Sequence, residues 1–494
     1  MQRVDVCLLV EGAYPYVTGG VSSWVHRLIQ GLPEVRFGLL ELLPDRAYAQ
    51  QSRYDIPANV VLRQQIYLFE TDARDGVFRE PDSSFMAQLS RLHADDATLG
   101  CPFVKTIDRL AQTARLGAFQ LETARATWQF LTNMYRQRGH DISFIDYVWN
   151  WRATHGPVLR LREVPLPAAG IYHAMSTGYA GFLAALARVR GGTRFILTEH
   201  GLYTRERDIE IVQADWIYDE WAGRSTRTDE PFFKRWWRRQ YRFLGKMAYE
   251  SADRIVALNG VNHGLQLAAG ADPTRCAIIP NGVALARFRD LRGTRDWRDR
   301  PFRVGFIGRV VPIKDVKTFI RAVQLASVAR PIAAFVIGPL NEDPGYAQEC
   351  VTLSEMLNLS DILQFVGAAD VRDWLSQLDL VVLTSVSEAQ PLVLIEAMAS
   401  GIPVIGTRVG GCPELIVGRE GIDQSFGPSG IVTPVASPQA TAAAICELAN
   451  SPLRYQAMSQ AAVRRVEHGY DEQQLFDRYR SMYRELGVSP RKPN

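Results

Sequence analysis

The stretch from Leu378 to Ile405 restricts the fold more than any other part of the chain. Leu378–Leu383 is an apolar run of strand length, closed by Thr384 and Ser385. Pro391 suits the first turn of a helix, where its missing N–H would have had no partner anyway. That helix runs to Ser400 and stops at Gly401, a residue at home in a left-handed cap. Gly401-Ile-Pro-Val-Ile405 opens the next strand. The result is a strand–turn–helix–strand unit, and the amides at its helix N-terminus favour an anion.

Two carboxylates flank that anion site. Glu388 precedes the helix and Glu396 lies inside it. A bound phosphate would repel a carboxylate aimed at it, so the two acids suit neutral hydroxyls. A sugar nucleotide offers both partners, a diphosphate for the helix end and hydroxyls for the acids. The plainer reading stays open: Glu388 as a helix cap and Glu396 as a solvated helix residue, since helix starts favour acids anyway.

The same alternation of strand and polar turn recurs elsewhere. Val4–Val10 reads as a buried strand, Glu11–Gly20 as a loop, and Val21–Ile29 as a helix with Val21, Trp24, Val25, Leu28 and Ile29 on one face. Gly19 and Gly20 let backbone amides approach a ligand at that helix start, or simply make a turn. Gly170–His173, Phe195–Thr198 and Arg254–Ala257 are further strands. His200 follows the second of these, where open α/β sheets meet their ligands, and either serves substrate or is structural; His173 is its competitor. Phe302–Gly308 is a strand followed by Arg309 and Lys314, a planar fork and a mobile point charge that both suit a diphosphate. Strands near Ile332–Ile337, Ile362–Val366, Val404–Ile405 and Ile431–Val432 continue the pattern, which predicts parallel sheets with right-handed crossovers. Helices follow at Ala440–Leu448, Leu453–Arg464 and about Glu472–Leu486, then a Pro- and Lys-bearing tail expected to be disordered.

Length demands two domains, because 494 residues exceed one ordinary core. The charged segment 291–300 has no apolar period and reads as the linker. Residues 45–165 lack clear alternation, with Ala111–Tyr135 helical, and read as a mostly helical elaboration of the first domain. Phe232–Leu244 places its aromatic side chains on one half of a helical wheel and Lys234, Arg235, Arg238, Arg239, Arg242 and Lys246 on the other. Packing on a core is the commoner source of this pattern; lying on an anionic membrane is the alternative.

A net charge of +3 gives no support to a nucleic-acid binder. Six scattered cysteines without a Cys-x-x-Cys pair argue against a disulfide framework or zinc site and fit a reducing cytosol. Val6–Val10 is too short for a signal peptide, and no apolar run approaches the ~18 residues that span a bilayer.

Ser387-Glu388, Glu396-Ala-Met-Ala399, Gly401-Ile-Pro-Val404 and Gly410-Gly411…Glu414 resemble the donor-site signature of retaining glycosyltransferases of family 4, including the Glu-x7-Glu spacing. Arg309-x4-Lys314 after Ile307-Gly308, the Gly19-Gly20 loop and Ile278–Val283 match the same family. The opening Glu11-Gly-Ala-Tyr-Pro-Tyr-Val17…Gly19-Gly-Val-Ser-Ser-Trp-Val-His26 resembles a narrower subgroup, the cytosolic glycosyltransferases of Pel exopolysaccharide synthesis.

The resemblance implies an α/β fold of GT-B type: two Rossmann-like, doubly wound parallel-sheet domains facing a central cleft. Residues 1–290 would form the acceptor-side domain, 301–470 the UDP-sugar-binding domain, and 471–494 a helix crossing back to the first. It implies that Arg309 and Lys314 hold the donor diphosphate, that Glu396 accepts from ribose hydroxyls, and that Glu388 and His200 serve the reacting sugar. Gly19, Gly20, Gln390, Leu392 and Val393 complete the donor site, and the loop Gly367–Asp370 holds the base. The family's Gly-Phe-Gly run after the first Glu is replaced here by Ala389-Gln390-Pro391, and proline donates no backbone hydrogen bond.

The expected activity is retaining transfer of a hexose or N-acetylhexosamine from a UDP-sugar to a growing exopolysaccharide. A sugar-nucleotide epimerase of the same fold and a non-catalytic UDP-sugar-binding subunit of a membrane synthase are the alternatives. No Asp-x-Asp occurs, which fits a transferase without a metal or other cofactor. The partners implied are UDP-sugar, a polysaccharide acceptor and inner-membrane Pel synthase components, with no nucleic acid. The location implied is the cytoplasm, with peripheral contact at the inner-membrane face.

Overall fold

The computed structural model describes residues 3–17, 19–48, 52–70, 80–93, 104–106, 108–109, 112, 122–138, 142–214, 217 and 231–488. Compact packing separates the chain into two units. One comprises Met1–Ala257, Gly264–Ala277 and Arg480–Asn494, the other Leu258–His263 and Ile278–Tyr479.

The first unit is built on β1 (Val4–Glu11), β2 (Phe37–Leu43), β3 (Val60–Tyr67), β4 (Ala169–Ala174), β5 (Arg194–Glu199), β6 (Arg254–Ala257) and β7 (Cys276–Ile278), in the spatial order β3-β2-β1-β4-β5-β6-β7. Pairings from β3 through β6 are parallel. Such strands are covered on both faces, so β1 and β2 are apolar almost without interruption. The helix Gly20–Gly31 buries Trp24, Val25, Leu28 and Ile29, the face expected from its spacing.

Three strands escape the sequence pattern, the short β7 among them. β2 was not anticipated, and it carries a buried acid, Glu41, neutralised by Arg63 at 2.7 Å and bonded by Tyr16 Oη at 2.5 Å. β3 lies within the segment expected to be a helical elaboration, and its Arg63, Gln64 and Gln65 disguise an edge strand. Helices Ser83–His93, Arg125–Arg138 and Phe144–Leu161 make up much of the rest of that segment's described residues. Of the expected helix Ala111–Tyr135, residues 111 and 113–121 lie outside the described residues.

The helix Phe232–Ser251 packs its aromatic face inward. Phe233, Trp236, Trp237, Leu244 and Met247 are buried, and Trp237 Nε1 donates to Asn150 Oδ1 at 2.7 Å. Each such side chain removed from water contributes roughly 1.5–3 kcal/mol. Its basic face is engaged: Arg238 and Arg242 both bond Asp208, at 2.8 and 3.3 Å, and Lys234 donates to the Val212 carbonyl. The apolar side is therefore core, as the commoner source of the pattern requires. Among the described residues, no helix is long and apolar enough to cross a membrane.

The second unit contains β8 (Phe302–Ile307), β9 (Ile332–Ile337), β10 (Leu363–Gly367), β11 (Leu380–Leu383), β12 (Val404–Thr407) and β13 (Gly430–Thr433). All pair in parallel in the order β10-β9-β8-β11-β12-β13. This is the doubly wound order whose direction reverses between β8 and β11, and ligands of such sheets bind outside the strand ends at that reversal.

The expected linker 291–300 is not free. Trp297 is buried between Phe302 and Tyr455, with ring centroids 5.0 and 4.7 Å away, and Arg300 forks onto Asp379 at 2.6 and 2.7 Å. The expected domain end at 290 thus lies inside the second unit. The last helix, Glu472–Glu485, has Arg480 on Glu34 at 2.7 Å and Tyr483 on His173 at 2.8 Å, both within the first unit. Residues 489–494 of the expected disordered tail lie outside the described residues.

Candidate functional site

In the second unit the loops after β8 and β11 are stitched together. Val386 N donates to the Ile313 carbonyl at 2.9 Å, and Thr384 Oγ1 donates to the Asp315 carbonyl at 2.8 Å. Lys314 ends a short turn, Pro312–Lys314, before Asp315 caps the helix Val316–Ala329 from a left-handed conformation, φ 46°. The stitching aims Lys314 at Glu388. Its ammonium pairs directly with Glu388 Oε1, and Ser385 Oγ donates to that same oxygen at 2.6 Å. The pair is mostly buried, with side-chain exposures of 18% and 10%, so the two charges are poorly screened by water. Ser385 is itself held, because its carbonyl accepts from Thr407 Oγ1 at the end of β12 at 2.6 Å.

Glu388 is therefore not a helix cap. The helix begins at Leu392, and Pro391 occupies the capping position with no side-chain cap. The proline expected inside the first turn sits one place earlier. Leu392 and Val393 supply the first helical amides, and Glu396 lies half-buried in the second turn. Gly401, φ 74°, follows the helix as expected.

The loop 388–391 is braced from several sides. Ala389 O accepts from Gly411 N at 2.7 Å and Asn259 Nδ2 at 2.8 Å. A side chain at Gly410, φ 47°, would place its Cβ 1.6 Å from the Glu388 carbonyl, so only glycine fits there. Gln390 is buried, and its Oε1 accepts from Asn281 N at 2.6 Å. That bond makes Gln390 a brace for the loop through its Oε1.

Arg309, directly after the β8 end, is half-exposed, and its Nη1 donates to Glu342 Oε2 at 3.0 Å. Glu342 stands on the loop after β9. That loop is pressed against the loop after β8: Val310 N donates to the Pro339 carbonyl, and a Cβ at Gly338 would lie 2.0 Å from Gly308 O. Beside them, the Gly367 carbonyl accepts from Gly338 N at 2.8 Å, and Asp370 caps the helix Val371–Leu375.

In the first unit, Gly19 and Gly20 are exposed, and no atom lies within 4 Å of where their side chains would start. The two histidine candidates part company. His173 has both ring nitrogens engaged, Nδ1 with Tyr483 Oη and Nε2 with Thr198 Oγ1, each at 2.8 Å. His200 packs edge-on against Trp24 at 4.6 Å, and its Nε2 is buried without a hydrogen-bond partner. Burial holds both imidazoles neutral, with pKa values pushed down to about 3; nearby Arg27 adds to the effect at His200.

The turn carrying His200 is fixed by its neighbour Glu199. That buried carboxyl accepts from Tyr249 Oη at 2.6 Å, Gln266 Nε2 at 3.0 Å, and Thr177 Oγ1 and Tyr203 N at 3.3 Å. Burial nonetheless pushes its pKa upward. Glu11, at the end of β1, ties Tyr203 Oη at 2.5 Å to Ser176 Oγ at 3.1 Å.

Lys314 and Glu388 are thus brought together, while Arg309 is drawn to Glu342. Sequence reasoning missed Ser385, Glu342, Asn281 and Glu199. Ser385 sits three places before Glu388 but carries no signal of its role, and the others act through loops distant in sequence. Among the described residues, no cluster of three or more His, Cys, Asp and Glu side chains has the arrangement of a metal site.

Two parallel sheets of this order make a GT-B fold, and solved glycosyltransferase structures share it. Sucrose-phosphate synthase from Thermosynechococcus elongatus superposes with a TM-score of 0.60 at 17% identity, covering 98% of this chain and 99% of that one. Anabaena Alr3699/HepE, solved in complex with UDP and glucose, gives 0.57 at 14% identity over 97% of this chain and 99% of its own. Residues 301–451 match the family Glycosyl transferases group 1, so the second unit carries a group 1 glycosyltransferase domain. Residues 4–274, more than half of the chain, match the family described as "Domain of unknown function (DUF3492)", and the chain belongs to that family. D-inositol 3-phosphate glycosyltransferase 2 of Catenulispora acidiphila is 30% identical over 230 residues, covering 43% of this chain and 52% of the relative. The chain spans about half the length of the first curated relatives it matches.

Proposed function

We propose that the protein is a retaining glycosyltransferase that moves a hexose or N-acetylhexosamine from a UDP-sugar to a growing exopolysaccharide of Pel type. The observation that carries this reading is the meeting of Lys314, Glu388 and Ser385 at the sheet reversal of a group 1 glycosyltransferase domain. A cation and an acid held together there suit a ligand with a diphosphate at one end and hydroxyls at the other.

Lys314 and Arg309 neutralise the diphosphate and the charge that grows on it as the glycosidic bond breaks, the electrostatic term that usually dominates catalysis. The amides of Leu392 and Val393 add the positive end of a helix. Glu396 accepts from the ribose hydroxyls. Glu388 accepts from hydroxyls of the transferred sugar or steadies positive charge at its anomeric carbon. Gly19 and Gly20 admit close backbone approach, and His200 offers a neutral nitrogen to a sugar hydroxyl. With no covalent nucleophile assigned, attack occurs on the same face as departure, through an ion-pair-like centre. Cations and amides do the work of a metal in this scheme, so turnover is expected to survive a chelator. The relatives named as glycosyltransferases and the UDP-bound HepE structure support transfer from a UDP-sugar; the polysaccharide acceptor and partnership with a membrane synthase rest on the resemblance of the opening loop.

Calorimetric titration against UDP-, GDP- and ADP-sugars tests the donor, followed by an assay of UDP release with and without glycan acceptor. The expected result is binding of UDP-sugars alone and UDP release only when acceptor is present. Interconversion of the sugar without UDP release would instead mark an epimerase.

A further inference from the structure

The two cations assigned to the diphosphate are each already paired with an acid: Lys314 with Glu388, and Arg309 with Glu342. Glu388 has a proposed part in the reaction, but Glu342 has none. It stands on a loop held rigidly beside the β8 end, immediately before Asp343, whose side chain caps the helix Pro344–Met356 through Tyr346 N at 3.0 Å. Its carboxylate therefore stays within reach of Arg309 by construction. A diphosphate and a carboxylate both want the N–H edge of a guanidinium, and Glu342 accepts from it through one oxygen, at 3.0 Å.

We infer that Glu342 is a competing counter-ion that sets donor affinity by occupying Arg309 until the diphosphate displaces it. The inference rests on the reading of Arg309 as a diphosphate ligand. Exchange of one anion for another on Arg309 leaves the guanidinium charge neutralised throughout. Because the Arg309–Glu342 pair is half-exposed, it is weak, and the exchange costs little. Such an acid trades affinity for faster product release: the UDP that remains after transfer meets a competitor already in place.

Calorimetric titration with UDP on a double-mutant cycle tests this. Glu342→Gln is expected to tighten UDP binding about two- to five-fold, the range a half-exposed ion pair allows. Arg309→Ala is expected to weaken it at least about ten-fold. In the Arg309→Ala background, Glu342→Gln is expected to have no effect. A gain of equal size in both backgrounds would show that the acid acts by simple repulsion of the diphosphate, and unchanged or weaker binding by Glu342→Gln alone would remove any competition; either result overturns the proposal while leaving Arg309 as a phosphate ligand. If Arg309→Ala binds UDP as tightly as the native chain, the reading of Arg309 fails and the counter-ion role fails with it. Both positions are half-exposed, so matched thermal melts are expected for all four proteins.

Discussion

At the ends of β4 and β5 the first unit holds its buried polar groups with neutral partners; the loops after β8 and β11 in the second hold theirs as ion pairs. Around β4 and β5 the polar groups are buried and hydrogen-bonded by neutral partners, as at His173 and Glu199, with His200 Nε2 left unfilled. Around β8 and β11 the groups are ion pairs, Lys314 with Glu388 and Arg309 with Glu342. The contrast teaches a division of labour. Neutral buried donors and acceptors distinguish hydroxyls by position, because a misplaced partner leaves a desolvated group unpaired. Ion pairs recognise charge and tolerate exchange, which suits a leaving diphosphate.

The largest consequence is a pH sensitivity carried by buried histidines of the first unit. His155, His173 and His200 all belong to the first, and burial lowers each pKa from the ordinary 6.5 to about 3. The unfolded chain protonates these rings near 6.5, the folded chain only near 3. Between those values the unfolded state holds more protons, so stability falls as pH falls through that window. The loss is at most on the order of 5 kcal/mol for each ring. Hydrogen exchange followed by mass spectrometry from pH 7 to pH 4 is expected to show amides of β4 and β5 losing protection before those of β8 and β11. Simultaneous loss in both sheets would break the contrast.

Charge removal in the second unit comes next. Lys314→Ala strips the diphosphate of a cation and leaves Glu388 with only Ser385, so turnover is expected to fall about 10²–10³-fold. UDP affinity should fall as well, because the leaving group is also the product. A variant with full turnover and unchanged UDP binding would deprive the ion pair of its meaning.

How much of this was legible beforehand differs between the units for a physical reason. In the second, the strands are short, mainly apolar runs between polar turns, and the acid and cation that meet lie on the loops that follow two of them. In the first, β3 hides behind Arg63, Gln64 and Gln65, since an edge strand need not be apolar on both faces. His173 and His200 look alike in sequence, each near a strand end. What separates them is Tyr483, 310 positions along the chain from His173, and no local pattern reports a contact of that range. The bracing of Gln390 is equally illegible locally: its partner Asn281 arrives from 109 positions away.

That separation can be sharpened by exchanging the histidines' fates. His200→Ala is expected to lower turnover about 10²-fold, in the range for a lost hydrogen-bond donor, with an unchanged melting temperature. His173→Ala is expected to do the reverse. It removes the imidazole that bonds the hydroxyls of Thr198 and Tyr483, costing about 1–3 kcal/mol for each lost bond, and so lowers the melting temperature by several degrees while turnover below that temperature persists. Equal effects on turnover would erase the distinction.

The smallest effect concerns the hydroxyl that shares Glu388 with Lys314. If the diphosphate draws the lysine away, Ser385 Oγ is the partner that still holds Glu388 Oε1, and it is itself fixed by Thr407. Ser385→Ala is therefore expected to lower kcat roughly ten-fold, the worth of one hydrogen bond to a charged group. The donor KM should hardly move, because the diphosphate cations are untouched. Ser385→Thr keeps the hydroxyl and should recover most of the loss. In a Glu388→Gln background the same change should cost much less, since its hydroxyl then serves a neutral amide. A loss carried in KM, or one of full size without the carboxylate, would mean that Ser385 supports the strand end and not the acid.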